Sequence, residues 1–223
     1  MVSPSRRRKR ERRFWTKVSS GYDEWINRDF ADQYETFKPR VASAVLPEDE
    51  ILEVGTGTGE IAIHLAPKCR SVNAVDISPE MIAIANSKKM ESGTENIEFK
   101  VEDAYSLSFD DCSFTKVIAV NSLQTMKQPS EAMLEGYRVL RNSGEFISIT
   151  YCYGDTGLFE RLKLMKWAFQ YGIPGYWNNF RKKDLVSKFK EAGFEILETE
   201  WVWKHPRVLF LRCRKNIGCN DYS

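Results

Sequence analysis

A chain of 223 residues, 42% hydrophobic and 29% charged, can close one sizeable core and has the composition of an ordinary globular domain. No apolar run approaches the roughly 20 residues a membrane span requires, and a net charge of +2 is too small to argue for nucleic acid by itself. The five cysteines (Cys69, Cys112, Cys152, Cys213 and Cys219) are odd in number and are not paired at metal-ligand spacing. That pattern argues against a metal site and fits reduced thiols of a cytoplasmic protein.

The N-terminus concentrates Arg6, Arg7, Arg8, Lys9, Arg10, Arg12 and Arg13. The plain reading is a solvated helix start; the sharper readings are contact with anionic lipid or with RNA. Arg12-Arg13-Phe14 does not open an export signal, because Lys17, Asp23, Glu24 and Arg28 follow where an apolar stretch would be needed. Phe14, Trp15, Val18, Tyr22, Trp25 and Ile26 recur at three- and four-residue steps, so a helix is predicted over 8–27 and a second over 34–45.

Strands and helices then alternate. Strands are predicted at 50–54, 71–75, 97–101, 116–120 and 145–150, the last entered through an Asn142-Ser143-Gly144 turn. Helices are predicted at 60–65, at 79–89 with Ser78 as N-cap and Pro79 in the first position, and at 129–140. The alternation breaks at 151–180, a segment rich in aromatics: Tyr151, Tyr153, Phe159, Trp167, Phe169, Tyr171, Tyr176, Trp177 and Phe180. A helix over 181–192, with Gly193 at its C-terminal cap, and two strands at 194–203 and 208–214 around His205-Pro206 complete the pattern. The expected organisation is a helical segment 1–47 with a basic start, an α/β core 48–150, an aromatic cap insertion 151–180, a helix and hairpin 181–214 completing the core, and a tail 215–223. Strand–helix alternation implies a parallel sheet covered on both faces, with ligands bound beyond the carboxyl ends of its strands.

The turn after the first strand reads Glu53-Val54-Gly55-Thr56-Gly57-Thr58-Gly59-Glu60. Its G-x-G-x-G spacing differs from the G-x-G-x-x-G of dinucleotide folds, and it lacks the Gly-Lys-Ser/Thr of a Walker loop. Glu53 and Glu60 would repel a pyrophosphate but suit a ligand carrying a sulfonium and an ammonium group, as S-adenosylmethionine does. Asp76, ending the second strand, can accept both ribose hydroxyls. Asp103, after the third, can accept from an adenine amino group while the Ala104 backbone meets the ring.

Residues 51–150 resemble the methyltransferase type 11 group of class I S-adenosylmethionine-dependent methyltransferases. The resemblance rests on 51–59, on Val75-Asp76-Ile77-Ser78-Pro79-Glu80-Met81, on Glu102-Asp103-Ala104 and on 137–144, where Asn142-Ser143 replaces the usual Pro-Gly. It implies a doubly wound, mostly parallel Rossmann-like sheet of seven strands in the order 3-2-1-4-5-7-6 with the last strand antiparallel. It also implies a cofactor set of Tyr22, Glu53, Gly55, Thr56, Gly57, Gly59, Asp76, Ile77, Met81, Asp103, Ala104 and Asn121, with Tyr22 reaching the methionine part. In that topology Trp201, Trp203 and His205 would border a substrate pocket.

Methyl transfer is an in-line displacement that leaves a neutral thioether, so alignment and exclusion of water matter more than a base. The catalytic candidates are accordingly few: His205, Tyr22 and Asn121. His64 reads as a packing residue. Asn121-Ser122-Leu123-Gln124 shares only its first residue with the Asn/Asp-Pro-Pro-aromatic motif of enzymes that methylate nucleobase amines. The expected activity is therefore methylation of a small-molecule or lipid-like acceptor under the aromatic segment, by a monomer or homodimer. RNA or protein methylation anchored by the basic N-terminus, and a non-catalytic cofactor-binding module, are the alternatives.

Overall fold

The computed structural model describes residues 4–157, 160, 162 and 176–216. Phe159, Trp167, Phe169 and Tyr171 of the aromatic segment lie outside the described residues, as does nearly all of the tail. The single N-terminal helix expected over 8–27 is two helices, α1 (Pro4–Val18) and α2 (Tyr22–Asp29), joined by a 3-10 turn at Ser19–Gly21. Serine and glycine gain little from continuing a helix, and the Ser19 hydroxyl donates instead to the Thr16 carbonyl at 3.0 Å. Helix α3 (Ala31–Ala42) begins three residues before the expected start.

Seven strands follow: β1 (Glu50–Val54), β2 (Ser71–Asp76), β3 (Ile97–Val101), β4 (Phe114–Val120), β5 (Leu140–Tyr151), β6 (Phe194–Trp203) and β7 (Val208–Lys215). They form one sheet in the order β3-β2-β1-β4-β5-β7-β6. The first five are mutually parallel, and β7 runs antiparallel to both β5 and β6. This is the expected order. The predicted Asn142-Ser143-Gly144 turn is a bulge inside β5 instead. Strand pairing jumps from Phe114↔Leu140 to Lys116↔Glu145, and Ser143 takes φ +60°, so turn-forming residues bend a strand rather than end it.

Helices α4 (Glu60–Leu65), α5 (Pro79–Ser92), α6 (Pro129–Val139) and α7 (Lys182–Glu191) cover the sheet. Side chains alternate across each strand, so Ile51 and Ile118 belong to one apolar cluster while Leu52 and Val117 belong to the other. The first cluster takes in α3 through Phe37 and Val41. Arg40 ties that helix to the sheet edge. Its guanidinium lies 3.5 Å over the Phe210 ring and donates to Glu198 at 2.5 Å and Glu200 at 2.8 Å.

Cys69, Cys152 and Cys213 are free thiols, but Cys112 is disulfide-bonded, its partner lying outside the described residues. This corrects the expectation of five reduced thiols; spacing along a chain does not reveal which distant cysteines the fold brings together. Among the described residues no helix is long and apolar enough to cross a membrane, and no cluster of side chains could hold a metal ion.

Candidate active site

The carboxyl ends of β1 to β5 point to one side of the sheet, and two adjoining cavities open there. The first lies over the glycine loop. Gly55 and Thr56 donate their backbone N–H groups to the Val75 carbonyl at 2.8 and 3.0 Å, which presses the loop against β2. Gly55 has φ +74°, and a Cβ there would stand 2.5 Å from the Ser122 Cβ. A Cβ on Gly57 would meet only the Tyr22 ring, at 3.8 Å, so the bare face of Gly57 is turned to the cavity. Asp76 is held by two backbone donors, Gly57 at 3.0 Å and Ser78 at 2.9 Å.

Tyr22, Glu53, Gly55, Thr56, Gly57, Asp76, Ile77, Met81, Asp103, Ala104 and Asn121 all line this cavity, whose volume is about 100 Å³. Gly59 does not. It caps α4 in the left-handed region, and a Cβ there would strike the Phe99 ring at 2.7 Å, so its role is packing between loop and sheet. His64 lines neither cavity.

The two glutamates that bracket the loop behave differently. Glu53 is 2% exposed. Burial pushes its carboxyl up to about 8, against the pull of the Thr56 hydroxyl (2.6 Å) and the Ala62 backbone and with a further push from Asp76. Burial also works against the charge of Glu60, but Lys88 at 3.0 Å and Lys38 at 3.1 Å outweigh it and hold that carboxyl below the usual range. Glu60 is thus already paired within the protein, and Glu53 is the acid kept for the cavity. Burial raises Asp76 as well, against the pull of the Ser78 and Gly57 N–H groups that hold it and of the nearby Ile77 backbone.

Helix α1 forms a wall that the sequence did not suggest. Arg7 is buried, donates to Glu11 at 2.6 Å and to Asp103, and lies 4.0 Å from the Tyr105 ring centroid. Glu11 in turn accepts from the Tyr105 hydroxyl and the Lys127 backbone, each at 2.9 Å. Arg12 stands 3.8 Å from Glu80, to which Thr16 donates at 2.8 Å. Part of the basic N-terminus is therefore spent inside the molecule. The four-residue spacing of Arg7 and Glu11 was the one legible signal, since that spacing places them on one helix face.

The second cavity, about 570 Å³, is walled by Trp15, Trp25, Phe30, Tyr151, Tyr153 and Trp177. Tyr151 and Tyr153 stack at 5.2 Å, and Trp177 lies 5.1 Å from Tyr153. His205 also lines it, its Nδ1 3.0 Å from Glu160. Trp201 and Trp203 do not; Trp201 packs with the opposite cluster, as does Phe180.

Six residues belong to both cavities: Trp15, Tyr22, Ile26, Tyr34, Asn121 and Thr125. Within this shared wall the Tyr22 and Tyr34 phenols and the Asn121 amide are neighbours that influence one another electrostatically. Burial raises both phenols, which stay protonated. Asn121 follows β4 with φ +53°, a left-handed conformation tolerated by asparagine and found at functional turns. Tyr34, Gln33 and Gln124 are site residues that sequence reasoning missed.

The sheet order, with β7 reversed, defines a Rossmann-like methyltransferase fold. Residues 52–148 match the family model described as a methyltransferase domain. Phosphatidylethanolamine N-methyltransferase of Cereibacter sphaeroides is 32% identical over 144 residues, covering 63% of this chain and 70% of that protein. The chain belongs to the S-adenosylmethionine-dependent methyltransferase family. A ubiquinone/menaquinone biosynthesis C-methyltransferase of Zymomonas mobilis is 27% identical over 151 residues, covering 67% of this chain and 62% of that protein. Among solved structures, magnesium protoporphyrin IX methyltransferase of Synechocystis PCC 6803, determined with bound SAH, shares the fold. It superposes with a TM-score of 0.73 at 18% identity, covering 94% of this chain and 99% of that one.

Proposed function

We propose that this protein transfers a methyl group from S-adenosylmethionine in the first cavity to a small-molecule or lipid-like acceptor in the second. The observation that carries this reading is the shared wall. Two cavities of different character meet at Tyr22, Tyr34 and Asn121, which is the arrangement an in-line displacement between two bound molecules needs.

The residues fit the cofactor. Asp76 and Asp103 line the first cavity and would offer acceptors to a ribose and an adenine, the bare Gly57 would allow close approach, and Glu53 would offer a buried carboxyl to an ammonium. When bound, the cofactor supplies a methyl group on a positively charged sulfur. The chain's own part is to hold both molecules and to exclude water. Tyr22, Tyr34 and Asn121 stand at the junction of the two cavities, and the aromatic walls limit water on the acceptor side. Tyr151, Tyr153, Glu160 and Trp177 are the described contributions of the 151–180 segment to that side.

The test is release of S-adenosylhomocysteine from the cofactor, with single-chain amphiphiles, RNA and protein offered as separate acceptor pools. The amphiphile pool is expected to support turnover. Tyr34→Phe should lower it about tenfold, the size of one hydrogen bond of about 1.4 kcal/mol to a bound molecule. Turnover with RNA or protein alone, or cofactor binding without turnover on any pool, rejects the reading.

Glu53 adds a pH signature. Its folded value of about 8 lies above the ordinary 4.5. Between those values the folded protein therefore holds a proton that the unfolded chain releases, and stability falls as pH rises through that window. A cation bound beside Glu53 restores its charge, so cofactor binding at pH 7 should expel a proton. Calorimetry in two buffers of different ionisation heat should show the release in the natural protein and not in Glu53→Gln. Equal heats in both buffers for the natural protein would show that the cation does not sit beside Glu53.

A further inference from the structure

Two side-chain oxygens in the wall of the second cavity are buried without a hydrogen-bond partner. Gln124 is 3% exposed, yet its Oε1 has no hydrogen-bond partner, because its Nε2 is committed to the Asn121 carbonyl at 3.0 Å. The Oδ1 of Asn121 is likewise buried without a partner. Both are acceptors, and an unpaired buried acceptor costs about 1–3 kcal/mol until a donor arrives. Two carboxylates, Asp29 and Glu160, also line the cavity. Asp29 is paired with Arg28 at 2.9 and 3.0 Å, and Glu160 with His205 at 3.0 Å. No lysine or arginine lines the cavity among the described residues. The remaining surface is mostly the faces and edges of tryptophan and tyrosine rings, which attract cations.

We infer that the methyl acceptor is an amine carried on an apolar body, bound as its ammonium ion among the rings of Trp15, Trp25 and Tyr153, with the Gln124 and Asn121 side chains turning their unpaired oxygens toward its N–H groups. The inference deepens the proposed function and rests on it for the transfer step; the binding claim stands on the cavity alone. A neutral alcohol could satisfy one acceptor, but it would gain nothing from the ring faces. A carboxylate would find no lysine or arginine among the described lining residues and would face Asp29 and Glu160. For reaction, the ammonium gives one proton to solvent water and the nitrogen lone pair is exposed. The nitrogen forms a bond to the methyl carbon as the carbon–sulfur bond breaks, with that bond's electron pair staying on sulfur. The products are a methylated ammonium and a neutral thioether, so charge and atoms balance.

Gln124 is the specificity-determining residue in this reading, since it lines the second cavity and not the first. The experiment titrates the full chain with decylamine, decanol and decanoate, following tryptophan fluorescence, because Trp15, Trp25 and Trp177 line the cavity. Decylamine is expected to bind about tenfold more tightly than decanol, and decanoate more weakly than either. Gln124→Glu should tighten decylamine binding severalfold, and Gln124→Leu should erase its advantage over decanol. Decanol or decanoate binding as tightly as decylamine to the natural protein overturns the inference without reference to any variant. Calorimetry with S-adenosylmethionine, run separately, tells the two readings apart. Amine preference without cofactor binding removes the methyl-transfer reading and keeps the site, whereas cofactor binding without amine preference removes the site assignment alone. With both present, mass spectrometry should find decylamine heavier by one methyl in place of one hydrogen.

Discussion

Replacing Asp76 with alanine is expected to weaken S-adenosylmethionine binding about a hundredfold. A carboxylate has about four acceptor positions. The Gly57 and Ser78 backbones occupy one on each oxygen, at 3.0 and 2.9 Å, which fixes the group in place and leaves two positions for a pair of ribose hydroxyls. Two charge-assisted bonds at about 1.5 kcal/mol each sum to about 3 kcal/mol, or roughly a hundredfold in affinity. Calorimetry on Asp76→Ala measures this, with a thermal melt alongside to detect loosening of the loop. A lowered melting temperature with unchanged affinity would make Asp76 a loop anchor and nothing more.

The second large effect is on stability. Gly55→Ala should destabilise the fold by about 3 kcal/mol, the sum of a left-handed alanine at about 1–2 kcal/mol and overpacking at about 1–3 kcal/mol. The overpacking is specific: the new methyl would stand 2.5 Å from the Ser122 Cβ and 3.1 Å from its Oγ. Ser122 cannot turn aside, because its hydroxyl donates to the Val54 carbonyl at 2.9 Å and so bridges β1 to the segment after β4. Gly57→Ala is the control, since it carries the left-handed penalty with only Tyr22 nearby, at 3.8 Å. Urea unfolding of both variants checks the pair; equal losses would mean that the Ser122 contact relaxes without cost.

The sheet and the cofactor side were legible in the sequence because local rules govern them. Alternating apolar runs, the Ser78–Pro79 helix start and the glycine spacing are read within a few residues of where they act. The same locality misled at Asn142-Ser143-Gly144, where the cross-strand partner β4 extends pairing through residues that a turn would also accept. It misled again at Ser19–Gly21, where a long aromatic period concealed a helix break. The second cavity was only partly visible. Its Tyr151, Tyr153, Trp177 and His205 stood out by type, but Gln33 and Tyr34 lie in one helix and Gln124 in a distant turn, and they carry no motif. The role of Arg7 was hidden for the same reason, since Asp103 lies ninety-six residues away.

The shared wall also determines how kinetic data on this protein can be interpreted. Tyr34 and Asn121 contact both chambers, so a substitution there perturbs two binding equilibria at once and its effect cannot be apportioned to either ligand. Any change in acceptor affinity caused by the cofactor must be matched by an equal change in cofactor affinity caused by the acceptor. Asp76 and Gln124, each confined to one chamber, are the positions at which the two contributions separate, and a double-mutant cycle between them measures the communication across the wall.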